Sequence, residues 1–112
     1  MNDDTNVQTS FCLVLTTLGS EAQAETLATQ IVAAGLGACV QVQAVKSFYR
    51  WKGEACAAPE WRLSIKTRKA QYERLEAFIR AHHGYETPEI VQVLIETGSA
   101  DYLQWVASGS AG

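Results

Sequence analysis

Short apolar or alternating runs mark four strands, and 3.6-residue periodicity marks three helices, in the order strand, helix, strand, strand, helix, strand, helix. That order predicts an α+β, ferredoxin-like fold: a βαββαβ antiparallel sheet with two helices on one face and a short C-terminal helix. Two punctuation signals agree with it. Ser20 and Gln23 form a capping box ahead of the first helical stripe, and Lys52-Gly53-Glu54 reads as the turn of a hairpin between the middle strands. A chain of 112 residues holds one such domain, assigned here to residues 11–107. The polar residues 1–10 and the Ser, Gly and Ala of residues 108–112 read as flexible tails.

Each element has its own signal. Residues 11–17 are rich in apolar and β-branched side chains and read as a strand buried on both faces. Ala24, Leu27, Ala28, Ile31 and Val32 then form one helical stripe that stops at Gly35. From Ala38 to Trp51 Val40 and Val42 alternate with Gln41 and Gln43, and the phase changes near Ala44 and Val45, where a bulge or bend is expected. Trp61, Leu63 and Ile65 alternate cleanly with Arg62, Ser64 and Lys66 on the returning strand, and Pro59 predicts that this strand starts late or runs irregularly at an edge. Residues 70–83 form a second amphipathic helix on Tyr72, Leu75, Phe78, Ile79 and His82, with Gly84 as its cap. Residues 90–96 make the fourth strand. Ser99 or Asp101 caps a final helix carrying Tyr102, Leu103, Trp105 and Val106.

Charged residues are 19% of the chain, below the roughly 25% usual for soluble domains, while three Trp, four Tyr and three Phe must be housed. With one sheet face uncovered by helices, such a surface is expected to meet another copy. A net charge of −3 excludes the general cationic field that holds proteins on nucleic acid. No apolar run approaches the roughly 20 residues of a membrane helix and no signal peptide is read, so the expectation is a cytoplasmic protein without membrane insertion. Cys12, Cys39 and Cys56 are odd in number and lack C-x-x-C spacing, which fits free thiols in a reducing compartment. No nucleophile-elbow, zincin, P-loop or dinucleotide motif occurs, so no enzyme is expected.

From Phe11 to about Val106 the chain resembles the CutA divalent-cation tolerance proteins. The residues that carry the likeness are Gly37-Ala38-Cys39, Ser47-Phe48-Tyr49-Arg50-Trp51-Lys52-Gly53, Lys66-Thr67, His82-His83-Gly84-Tyr85-Glu86-Thr87-Pro88-Glu89 and Asp101-Tyr102-Leu103-Gln104-Trp105. The resemblance implies a homotrimer, related in architecture to PII signalling proteins, with a role in metal tolerance. It also implies a copper site made by a strand cysteine and the tandem histidines. Here His82 and His83 hold the histidine positions, Thr16 replaces the cysteine, and Gly84 stands where the family has Pro. Cys12, four residues before Thr16, lies about 13 Å away along the strand and is no replacement.

His82 and His83 suit copper(II) or another divalent metal, yet histidines in a last helical turn also cap carbonyls, and neighbours point about 100° apart. Cys39 is the candidate thiol ligand, with a buried small hydrophobe as its other reading. Arg62, Lys66 and Arg68 share one strand face, as an anion patch or a solvated or interface face. Tyr49, Trp51, Lys66, Tyr85, Glu89, Tyr102 and Trp105 are expected to line a cleft between subunits, as ligand contacts or trimer packing. The leading functional expectation is a homotrimeric divalent-cation tolerance protein that binds copper(II) or another divalent metal weakly, with no other cofactor indicated. The alternative is a PII-like small-molecule-binding or signalling trimer, against which the short connection at residues 52–59 leaves little room for a partner-binding loop. A small enzyme using Glu89 is the third reading.

Overall fold

The computed structural model describes residues 10–112; residues 1–9 of the segment read as a flexible N-terminal tail lie outside the described residues. Four strands form one sheet: β1 (Phe11–Leu18), β2 (Cys39–Trp51), β3 (Glu54–Arg68) and β4 (Val91–Ile95), in the order β2-β3-β1-β4 with every neighbouring pair antiparallel. Between them run α1 (Glu21–Ala33) and α2 (Tyr72–His82, entered through a 3₁₀ turn at Lys69–Gln71), and α3 (Ala100–Gly109) follows β4. The ferredoxin-like α+β order expected from the sequence is the one observed. Among the described residues, no helix is long and apolar enough to cross a membrane.

The core lies between the sheet and the first two helices. Cys12, Val14 and Leu18 of β1 and Leu63 and Ile65 of β3 meet Ala24, Leu27 and Ile31 of α1 and Leu75 and Ile79 of α2, all essentially buried. Each fully buried Leu, Ile or Val there contributes about 1.5–3 kcal/mol through loss of contact with water. Ser20 caps α1 by accepting the Gln23 N–H at 3.1 Å, and Gly35, at φ 70°, takes the left-handed position that ends it. Val32, read as part of the stripe, is exposed because it lies past the edge of the contact with the sheet. α2 ends differently from expectation: His83 turns the chain into extended backbone, and Gly84 does not adopt the left-handed cap.

The β2–β3 hairpin shows no bulge. Its register runs unbroken from Cys39 opposite Lys66 to Trp51 opposite Glu54. β1 stops opposite Trp61, so the distal half of the hairpin projects past the four-stranded part of the sheet and out of the helical core, and that core imposes no phase on its side chains. The change of pattern at Ala44 and Val45 marks that exit from the core. Lys52 at φ 50° and Gly53 at φ 83° form the two-residue turn, so β3 begins at once rather than late. Pro59 is accommodated where β3 has no neighbour on its second side, and there it interrupts nothing. The projection makes the molecule 52 Å long against 26 and 24 Å across.

α3 lies over the sheet face opposite α1 and α2, at the end where Lys66 and Arg68 point. Lys66 Nζ sits 5.4 Å from the Tyr102 ring centre, Val106 is wholly buried, and the Arg68 guanidinium donates two hydrogen bonds to the Ser110 carbonyl. Residues 110–112 are therefore held by hydrogen bonds, unlike the loose tail expected of residues 108–112. Ser110 is fully buried, Gln71 donates to the Ser110 and Gly112 carbonyls, Arg74 to the Gly112 carbonyl, and the Gly112 N–H donates to Gly35. Small residues make this possible: a methyl added at Gly109 would lie 2.9 Å from the Ala38 Cβ.

Candidate functional site

The chemistry-bearing side chains gather around residues 82–89, the segment linking α2 to β4. His82 closes the last turn of α2. Its ring stacks on Phe78 with centres 4.2 Å apart, and its Nδ1 is 2.8 Å from the Phe78 carbonyl. Nδ1 must donate there, since a carbonyl only accepts, and the lone pair of the neutral ring is left on Nε2. His83 is held on both sides. Its Nε2 lies 2.8 Å from the Thr17 carbonyl and its Nδ1 accepts the Tyr85 N–H at 3.1 Å. The neutral Nε2–H form satisfies both bonds and leaves no lone pair for a metal.

The two histidines line a cleft of about 470 Å³ between α1 and the end of α2, with Leu18, Gln23 and Gln30. Thr16 is fully buried, on the core face, and its hydroxyl has no hydrogen-bond partner. Cys39 is not brought to the histidines. It pairs with Lys66 at the start of β2, four ladder positions from the pair Gln43 and Arg62, where β1 contributes Thr17. Among the described residues, no three His, Cys, Asp or Glu side chains come together as a metal-holding group.

The expected cleft residues divide into two places. Tyr49, Trp51, Tyr85 and Glu89 line one hollow of about 650 Å³ between the projecting hairpin and residues 84–89. Lys66, Tyr102 and Trp105 sit apart under and on α3, where Tyr102 stacks on Trp105 with centres 5.6 Å apart. The hollow also contains a residue that the sequence reading missed. Glu60 is 9% exposed and its Oε2 accepts the Tyr85 hydroxyl at 2.7 Å. Burial, then that bond and the charge of Glu60, push the Tyr85 phenol up to about 12. Gly19 leaves room for the phenol, since a methyl there would stand 3.0 Å from its oxygen. The available signal was parity: Glu60 shares its strand face with Arg62 and Lys66.

The comparisons with known proteins agree with this architecture. The family described as CutA1 divalent ion tolerance protein matches residues 12–109. The divalent-cation tolerance protein CutA of Thermus thermophilus is 39% identical over 95 residues, which are 84% of this chain and 92% of that protein. The solved CutA of Synechococcus elongatus PCC7942 superposes with a TM-score of 0.88 at 33% identity, covering 92% of each chain. The structure from Archaeoglobus fulgidus, described as a periplasmic divalent cation tolerance protein, gives 0.87 at 31% identity over 89% of this chain and 98% of that one. With the matched residues running from β1 to the last residue of α3, the chain belongs to the CutA1 divalent ion tolerance family.

Proposed function

We propose that this chain acts in divalent-cation tolerance as a homotrimer that binds copper(II) or another divalent ion weakly, with His82 as the side chain that meets the ion. The supporting observation is the open Nε2 of His82, whose Nδ1–H is fixed on the Phe78 carbonyl, as metal-binding imidazoles are usually oriented. The rest of the donor set fits only a loosely held ion. His83 is occupied on both nitrogens, Thr16 offers a hard hydroxyl in place of a thiolate, and Cys39 lies elsewhere. Isothermal titration with Cu(II) and Zn(II) tests this reading: weak binding to the unaltered protein is lost in His82→Ala and in His82→Ala/His83→Ala. Unchanged binding in those variants rejects the site.

Assembly is supported by apolar side chains open on the projecting hairpin and the sheet. Phe48 is 74% exposed and Leu94 57%, with Val91, Val93 and Trp105 also open. Light scattering should give three times the subunit mass, and a stable monomer refutes the trimer. A cytoplasmic location fits the three unpaired cysteines. A second reading, small-molecule binding or signalling like that of PII proteins, is favoured by the hollow at Glu60 and Tyr85, whose volume of about 650 Å³ suits a small ligand.

A further inference from the structure

We propose that the hollow between the hairpin and residues 84–89 binds a small organic cation, an amine or quaternary ammonium compound. This inference rests on the small-molecule reading of that hollow and gives it a ligand class. Glu60 carries the argument. A carboxylate withdrawn this far from water normally holds a cation or several hydrogen bonds, because desolvating a charge is unfavourable unless it is compensated. Its Oε2 accepts one bond, from the neutral Tyr85 phenol, and the only ion pair among the described residues is Arg80 with Glu76 on α2.

The walls have the matching chemistry. Tyr49, Trp51 and Tyr85 supply aromatic rings, Glu86 and Glu89 add two further carboxylates, and no Lys, Arg or His lines the space. Aromatic faces attract cations through the ring quadrupole, and the Trp51 ring already has the Lys52 ammonium of the turn 5.9 Å from its centre. The same residues argue against a bare divalent ion, because the carboxylates do not converge as a metal-holding group. An organic cation needs no such cage. It needs one buried countercharge, rings to lie against and room, and the hollow is of ordinary ligand-site size.

The test is titration calorimetry on the assembled protein with choline and 1,4-diaminobutane as probes and ATP as an anionic comparison. Saturable binding of a probe, weakened at least tenfold by Glu60→Gln and about two- to fivefold by the rim change Glu89→Gln, supports the inference. Glu60→Gln keeps the shape and the acceptor for Tyr85. Glu73→Gln, which removes a negative charge on α2 away from the hollow, should leave probe binding unchanged, and an equal loss there would reduce the effect to the general field and overturn the site. Binding of ATP without either amine overturns the cation inference and leaves the small-molecule reading standing. No binding of any of the three overturns both.

Discussion

Removing the Tyr85 hydroxyl isolates the contact that holds the 84–89 segment to the hairpin. A hydrogen bond to a charged acceptor contributes about 1.5–3 kcal/mol. The phenol's rise from 10.0 to about 12, in which burial counts before the bond to Glu60, sets a ceiling of about 2.7 kcal/mol on what that bond contributes. Tyr85 is 41% exposed, and solvent screening reduces that ceiling to about 1 kcal/mol. Tyr85→Phe should therefore lower stability by about 1 kcal/mol per subunit at pH 7. Below pH 10 the phenol is protonated in folded and unfolded chains alike, and the contribution is complete. Between pH 10 and about 12 the unfolded chain ionises first, and the contribution drains away. Urea unfolding of both proteins at one subunit concentration, at several pH values, reads the difference directly. No gap at pH 7, or a gap that persists unchanged to pH 12, refutes the assignment.

Three further outcomes are expected. Gly19→Ala should destabilise by about 1 kcal/mol when Tyr85 is present and by less than about half that in the Tyr85→Phe background, because the added methyl meets the phenol oxygen; additivity in the double variant would contradict this. His83→Ala should cost about 2 kcal/mol in denaturant unfolding, since the Thr17 carbonyl and Tyr85 N–H both lose a partner, while exposed His82→Ala stays within about 1 kcal/mol; the reverse ranking would show that the two imidazoles have been misassigned. Burial pushes the Cys12 thiol from 9.0 up to about 11 against the opposing charge of Lys69, so at pH 8 a thiol reagent should label Cys56 promptly and Cys12 only on unfolding. Equal labelling rates by mass spectrometry would show that β1 opens readily.

The parts of the fold written in local chemistry were readable from the residues: the Ser20 cap, the α1 stripe, the Lys52-Gly53 turn and the succession of strands and helices along the chain all follow from short-range patterns. The misreadings lie where a pattern depends on what covers it. The phase change at Ala44 looked like a bulge because alternation reports packing against the hydrophobic core, and the hairpin leaves that core there. Residues 108–112 looked loose because small residues carry no hydrophobic signal, although smallness is what admits them beside Gly35 and Ala38. The family motif brought His82 and His83 into view but not their division of labour, which depends on the carbonyls of Phe78 and Thr17. Glu60 stayed hidden because its partner, Tyr85, is 25 residues away.

The overhang also has a bearing on quality control. A subunit on its own presents open strand edges along β2, along β4 and along the part of β3 beyond Trp61, and such edges template the addition of further strands. Lys46, Arg50 and Lys52 place charge along this stretch, and Pro59 removes an amide donor from the β3 side. The proline that looked like a flaw in a strand thus acts as a gatekeeper against fibril-like stacking.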